Sequence, residues 1–290
     1  MPENQIIILQ IGPSNPIIAW IIALLAVVLI FPVIIRYYVK GSPQFIPSFV
    51  KLTYDYRRIL EKHALYYQRL SPENKHKFEE RVYTFIRSKT FIPRRFKKVT
   101  LEMKTLIAAS AVQLTFGFEK FEMPHFTKIL IYPDTYYSLI RKAYHKGEVN
   151  PAARLVVFSW KSFIEGYQNP YDSKNLGLHE MAHVLKLENK VLKNEVAFLD
   201  PDLYKKWEKM AAQHIERLKQ GPDLLFRRYA AENEYEFFAV AIEIFFERPF
   251  SLRAIHPEIY ALLKGLLKQD PILIQQLESE ETFIAERKVV

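Results

Sequence analysis

The 290-residue sequence contains no cysteine. This absence excludes a disulfide framework, a cysteine-based zinc finger, an iron–sulfur cluster and a thiol nucleophile. Any bound metal must therefore be held by His, Asp and Glu. Nearly half of the residues are apolar and a quarter are charged. This balance is typical of a folded chain with a sizeable core, and it excludes collagen-like and wholly disordered classes.

Charge is almost missing from the N-terminal region. Residues 1–35 carry one charged side chain, Glu3, and the twenty residues from Pro16 to Ile35 carry none. A helix of that length spans about 30 Å, the thickness of a hydrocarbon core. No basic residue precedes the run, which excludes a cleaved signal peptide. The sequence therefore predicts one transmembrane helix at residues 16–35.

Positive charge is concentrated directly after this run. Between Arg36 and Thr105 there are 17 Lys and Arg against 6 Asp and Glu, which accounts for the net charge of +9. Basic residues that flank a membrane segment on one side favour the cytoplasm for that side. We therefore expect the C-terminal bulk of the chain to be cytoplasmic. No nucleic-acid-binding motif accompanies the basic region, so nucleic acid is not an expected partner.

The periodicity of apolar residues predicts a helix-dominated α+β fold with a small sheet. Ser71 and Pro72 have the N-cap and N1 pattern of a helix start. The predicted helices cover residues 48–69, 72–88, 100–114, 174–188, 201–219, 229–247 and 256–268, and the predicted strands cover 128–132 and 154–158. We expect a tail and anchor at 1–40, one domain at 41–280 with a basic helical part at 41–105, and a tail at 281–290.

Residues 179–183 read His-Glu-Met-Ala-His, an H-E-x-x-H motif. On a helix, residues four apart share a face, so His179 and His183 can bind one metal ion. Glu180 lies at the edge of that face, where its carboxylate can reach a water molecule on the metal. Two nitrogen ligands, a base and an open coordination position are what metal-assisted hydrolysis requires.

A third protein ligand is expected further along the chain. Tyr229, Glu236 and Glu243 are spaced by seven residues and would share one face of the predicted helix 229–247. Spacing alone leaves Glu236 and Glu243 as equal candidates for the third ligand. Three convincing protein ligands, instead of the four of a closed structural site, favour catalysis.

Three segments, HEMAH at 179–183, Val156–Trp160 and Tyr229–Pro249, together resemble the Mlc titration factor A family of bacterial zinc-dependent peptidases. The resemblance covers about residues 45–275. It implies a zincin-like domain in a bacterial protein. Together with the predicted anchor at residues 16–35, this gives the bacterial inner membrane as the expected location. The roles it implies are zinc ligation by His179, His183 and Glu236, general base catalysis by Glu180, oxyanion stabilisation by Tyr229, and orientation of a ligand histidine by Glu243.

Zinc peptidases of this kind bind an extended peptide beside an edge strand. We predict that Val156, Val157, Phe158 and Ser159 form this edge. The alternative is that the segment is an ordinary strand of the sheet, with Trp160 packed in the core. The predicted function is hydrolysis of peptide bonds in a peptide or protein substrate by a membrane-anchored zinc peptidase. The alternative is a membrane-tethered binding protein with a non-catalytic zinc site that sequesters a transcription regulator, a partner implied by the family resemblance.

Overall fold

The computed structural model describes residues 48–119, 123–138, 142–191 and 199–274. The chain divides into two units, Met1–Lys51 and Leu52–Val290, and the fold below is that of the second. Within the described residues, no helix combines the length and apolar character needed to cross a membrane. The predicted span at residues 16–35 lies outside the described residues.

Most of the secondary-structure elements in the described residues are helices. The helices are α1 (Ser48–His63), α2 (Leu65–Gln68), α3 (Pro72–Ser88), α4 (Leu101–Thr115), α5 (Trp160–Gln168), α6 (Leu176–Val191), α7 (Pro201–Gln220), α8 (Glu234–Glu247), α9 (Pro249–Ile255) and α10 (Pro257–Leu267), with a 3₁₀ turn at Arg228–Ala231. The strands are β1 (Thr90–Pro93), β2 (Lys128–Tyr132), β3 (Tyr136–Ser138), β4 (Ala143–His145), β5 (Gly147–Asn150) and β6 (Leu155–Ser159). The predicted helix-dominated α+β class with a small sheet is confirmed.

The four-stranded sheet has the order β1-β2-β6-β5. Strands β1, β2 and β6 are parallel, and β5 pairs with β6 in the antiparallel sense. Strands β3 and β4 form a separate antiparallel hairpin. The prediction that Val156–Ser159 form the edge is wrong, because β6 lies between β2 and β5. An apolar run without polar alternation is typical of an interior strand. The more polar Gly147–Asn150 is the edge strand next to β6, and β1 is the edge on the other side of the sheet.

One hydrophobic core joins the sheet to the helices. Ile129, Ile131, Val156 and Phe158 are buried in it from one face of the sheet. Helix α8 lies deep in this core, and every residue from Phe237 to Glu247 is buried. A carboxylate on such a helix is costly unless it has polar partners, so the acidic residues of α8 indicate a built polar site.

The local start signals explain where the helices begin. Ser71 accepts a hydrogen bond from the Asn74 N–H, as its N-cap role predicts. The predicted helix 229–247 instead begins at Glu234, because the Asn233 side chain accepts from the N–H groups of Tyr235 and Glu236. Tyr229 therefore lies in the preceding 3₁₀ turn. The prediction that it shares a helix face with Glu236 is wrong.

Candidate metal centre

His179 and His183 lie one turn apart on α6 and direct their Nε2 atoms to one point. These two nitrogens are 3.2 Å apart. Glu236, in the first turn of α8, places Oε2 at 3.1 Å from His179 Nε2 and Oε1 at 3.5 Å from His183 Nε2. The three residues thus form a group, with ligand atoms within 4.8 Å of one another, that could hold a metal ion.

The spacing of these donor atoms fits a small tetrahedral ion. Bonds of about 2.0–2.1 Å to ligands at tetrahedral angles separate neighbouring ligand atoms by about 3.3 Å. The two imidazole nitrogens are 3.2 Å apart, and Glu236 Oε2 is 3.1 Å from His179 Nε2, both close to that value. The other oxygen of Glu236, Oε1, is the one that lies 3.5 Å from His183 Nε2. Two imidazoles with one carboxylate are also the ligand set of catalytic zinc sites. Geometry and donor chemistry therefore both fit zinc.

The electrostatics of the group favour a positive charge beside its carboxylates. Burial disfavours the charged form of His179, but the adjacent carboxylates of Glu236 and Glu243 outweigh this effect and raise its pKa to about 10. Burial disfavours ionised Glu236, yet the two histidines hold its pKa well below the usual value. The buried Glu236 Oε2 makes no hydrogen bond of good geometry to any described residue. A bound cation would satisfy that oxygen.

Glu180 is buried beside the group and does not belong to it. Burial raises the pKa of Glu180, and the neighbouring His183 and His179 oppose that rise. Its carboxylate lies against Gly147 at the start of the edge strand β5. A Cβ atom on Gly147 would be 2.2 Å from Glu180 Oε1, which is far below contact distance. The glycine therefore leaves the space that the Glu180 carboxylate occupies.

Glu243 is the other candidate for the third ligand that the sequence spacing left open. It contacts the opposite side of His179. Its Oε1 is 3.5 Å from His179 Nδ1 and accepts from the Asn175 N–H at 3.1 Å. Its Oε2 accepts from Arg227 Nη2 at 2.6 Å. A carboxylate beside Nδ1 favours the tautomer that leaves Nε2 free for a metal. Glu243 thus lies where a residue that orients His179 should lie.

Tyr229 reaches the site from the 3₁₀ turn. Its ring centroid is 6.1 Å from that of His179, and the Arg227 guanidinium carbon lies 5.8 Å from the Tyr229 ring centroid. Burial and the nearby Glu236 raise the pKa of the phenol, so its hydroxyl keeps its proton at neutral pH. The structure therefore places a hydrogen-bond donor beside the candidate ligands, as the resemblance implies.

A second contact joins the two ligand-bearing helices. The buried ammonium of Lys186, three residues after His183, pairs with Glu234 in the first turn of α8. It also lies 4.3 Å from the Tyr235 ring centroid. Since Glu236 follows on the same turn, this pair fixes the register of α8 against α6 next to the candidate ligands.

A cavity of about 640 Å³ opens beside His179, Glu180 and Tyr229. Its wall includes residues from the β3–β4 hairpin and from the start of β5. The volume is in the range of pockets that bind small molecules or peptide side chains. The candidate metal centre is therefore open to a substrate from this side.

Sequence reasoning identified His179, Glu180, His183, Glu236 and Glu243, and the structure brings all five together. It missed Gly147, Asn175 and Arg227, whose roles depend on long-range contacts. Two asparagines near the site, Asn175 and Asn233, do have a local sequence signal, which is that of a helix start. Asn175 directly precedes α6 and accepts from the Leu178 N–H at 3.0 Å, as an N-cap does. Asn233, followed three residues later by a glutamate, has capping-box spacing.

The fold and the site together define a helix-dominated α+β protein with a buried His-His-Glu group and an adjacent carboxylate. The family model of the glucose-regulated metallo-peptidase M90 matches residues 49–268. The chain belongs to this family. Membership indicates a metallopeptidase-like protein that binds a metal, and it agrees with the His-His-Glu group.

Two relatives support the assignment. The chain is 27% identical over 209 residues to a protein named Mlc titration factor A from Edwardsiella ictaluri, covering 64% of this chain and 77% of that protein. It is 25% identical over 233 residues to an uncharacterized protein of Synechocystis, covering 75% of this chain and 85% of the relative. The predicted resemblance to the Mlc titration factor A family is confirmed.

Proposed function

We propose that the chain is a zinc-dependent peptidase with a zincin-like domain, in which His179, His183 and Glu236 hold Zn²⁺. The observation that carries this proposal is the convergence of their donor atoms, all within 4.8 Å of one another, beside a buried carboxylate and an open cavity. Zinc in such a site supplies Lewis-acid chemistry, which activates water and polarises a peptide carbonyl. The remaining steps belong to residues of this chain.

Glu180 is the general base of the proposed reaction. Its carboxylate accepts a proton from the attacking water, whose oxygen bonds to the carbonyl carbon. It then gives that proton to the amine nitrogen as the carbon–nitrogen bond breaks. The Tyr229 hydroxyl donates a hydrogen bond to the oxyanion that develops on the carbonyl oxygen. Glu243, held by Arg227 and Asn175, keeps His179 in the orientation that ligation needs.

In this proposal the peptide pairs with the edge of β5 that faces away from β6, where the part of the chain that the structure describes supplies no further strand. The Ser159 N–H donates to the Lys146 carbonyl at 2.6 Å, and Gly147 is opposite Phe158. Alternate residues of an antiparallel strand bond to the partner strand, so Lys146 faces β6 and the main-chain groups of Gly147 and Val149 face away. Gly147 also contacts Glu180. An added peptide strand would thus bring its backbone next to the base.

The test is metal content and peptide cleavage of the same purified full-chain preparations. We expect one zinc per chain and cleavage of a peptide library by the wild type. Glu180→Gln should retain the metal and lose turnover by about 10²–10⁴-fold, because only the base is removed. Glu236→Ala should lose the metal. Glu243→Ala should weaken metal binding by about 10–100-fold, the usual cost of removing an orienting partner.

Two outcomes would contradict the proposal. A wild type that binds zinc and cleaves nothing would favour the alternative, a binding protein with a non-catalytic zinc site. The regulator partner of that alternative is implied by the family resemblance and by the name of the Edwardsiella relative. Metal loss in Glu243→Ala together with metal retention in Glu236→Ala would reverse the roles of the two carboxylates.

We also propose that residues 16–35 anchor the chain in the bacterial inner membrane, with residues 41–290 in the cytoplasm. The support is the twenty-residue uncharged run followed by Arg36 and Lys40, with no basic residue before it. A C-terminal alkaline phosphatase fusion, which folds only outside the cytoplasm, should be inactive, and the matching cytoplasmic β-galactosidase fusion should be active. The opposite pattern would reverse the orientation.

A further inference from the structure

Two exposed tyrosines face each other on the hairpin beside the cavity. Tyr137 in β3 and Tyr144 in β4 are cross-strand partners, and their ring centroids are 5.4 Å apart in an edge-on arrangement. Their exposed fractions are 49% and 75%, so most of the surface of the pair contacts solvent. Tyr144 lines the same cavity as His179 and Glu180. The pair is therefore an apolar surface at the entrance to the candidate centre.

The position of the pair along a bound peptide follows from the strand direction. A peptide that adds to β5 in the antiparallel sense, the more stable pairing, runs from Asn150 towards Gly147 in its N-to-C direction. Its scissile bond lies near Gly147, where the Glu180 carboxylate is located. Beyond that bond, the peptide continues past Lys146 and His145 towards Tyr144. The aromatic pair thus faces residues on the C-terminal side of the bond.

The charged side chains of the cavity wall do not favour a substrate side chain of one particular charge. Lys146 and Lys174 are matched by Glu165 and Asp172. Arg227, which also lines the cavity, already pairs with Glu243 through a bond of 2.6 Å. With the buried Glu180 included, the wall has three cationic side chains and four carboxylates. Opposite charges in nearly equal numbers create little net potential, so complementarity to a charged side chain is weak. Apolar contact with the tyrosines is the stronger source of discrimination.

We infer that Tyr144, supported by Tyr137, determines specificity by binding a large apolar or aromatic side chain on the C-terminal side of the scissile bond. The inference rests on the proposed peptidase function and on pairing with β5. Tyrosine rings contribute rigid contact area at low conformational cost, and a second ring in edge-on contact holds the first in place. The cavity of about 640 Å³ has room for such a side chain.

The experiment compares kcat/KM for two series of peptides. The first series carries Phe, Leu or Ala at the first two positions after the scissile bond, and the second carries the same residues at the positions before it. The wild-type full chain should prefer Phe and Leu after the bond. Tyr144→Ala should reduce that preference about 10-fold, mainly through KM, and should leave the Ala peptide unchanged. Tyr144→Phe should retain it. Phe250→Ala, an exposed aromatic residue of α9 outside the cavity wall, is the matched control and should behave as wild type.

An unchanged preference in Tyr144→Ala, or a preference confined to positions before the bond, would overturn the inference. Failure of the proposed function gives a different result, because peptide binding can be measured without cleavage. Fluorescence anisotropy of the same peptides is recorded with Glu180→Gln and with Glu180→Gln carrying Tyr144→Ala. If binding depends on Tyr144 but the wild type has no turnover, the proposed peptidase function is wrong and the aromatic binding site stands. If both variants bind all peptides equally, the aromatic binding site is wrong.

Discussion

Replacing Gly147 by alanine is expected to lower peptide turnover by about 10²-fold or more, on the scale of a displaced general base. An alanine Cβ at this position would lie 2.2 Å from Glu180 Oε1 and 2.6 Å from its Cδ. The end of a flexible side chain moves more easily than a strand, so Glu180 should swing away from the attacking water. Among the described glycines none has a positive φ, so this substitution adds no backbone strain.

The matched control for Gly147→Ala is Gly221→Ala, where an added Cβ meets no atom within 4 Å. Metal stoichiometry, melting temperature and kcat are measured for both variants. We expect full metal in both and a loss of kcat only in Gly147→Ala, because the three atoms nearest to the new methyl group all belong to Glu180. Wild-type kcat in Gly147→Ala would show that the Glu180 position seen here is not needed for turnover.

Tyr229→Phe is expected to lower kcat by about 10²–10³-fold, or about 3–4 kcal/mol, the usual effect of removing one oxyanion donor. Phenylalanine keeps the ring and its contacts with His179 and Arg227. A donor that acts only in the transition state should affect kcat and leave metal content unchanged. The measurements are zinc stoichiometry, melting temperature and peptide turnover on one preparation.

Tyr235→Phe is the control for the same chemical change on the neighbouring helix. Its ring lies beneath the Lys186 ammonium, and the residue does not line the cavity. We expect wild-type kcat in this variant. Full zinc and an unchanged melting temperature with wild-type turnover in Tyr229→Phe would remove Tyr229 from the mechanism. A lower melting temperature with normal turnover of the folded fraction would assign it a structural role.

The relation between the two histidines and Glu180 could be predicted because it is local. All three lie within five residues of one helix, and helix geometry alone directs His179 and His183 to one point. The third ligand could not be chosen in this way, since Glu236 and Glu243 are both on α8. Contacts between helices separate them: Glu236 approaches both Nε2 atoms, whereas Glu243 approaches Nδ1 of His179.

Tyr229 lies beside His179, although the helix that was predicted to contain it does not extend to residue 229. The seven-residue spacing predicted a shared helix face with Glu236, but Asn233 caps α8 and leaves Tyr229 in the 3₁₀ turn. The Tyr229 ring centroid lies 6.1 Å from that of His179, and the Arg227 side chain, directly before the turn, donates to the Ser173 carbonyl at 2.6 Å. Such a bond across 54 residues has no periodic signal in the sequence.

The sequence by itself determined the absence of thiol chemistry, the helix-dominated α+β class, the H-E-x-x-H group and the relationship to the metallopeptidase family, because composition and short spacings act within one element. Only the tertiary structure shows which strands lie inside the sheet and which lie at its edges. The apolar β6 is interior and the more polar β5, with Gly147 beside Glu180, is an edge. Strand order depends on contacts between distant segments, and the alternation within a single strand does not record which neighbour it pairs with.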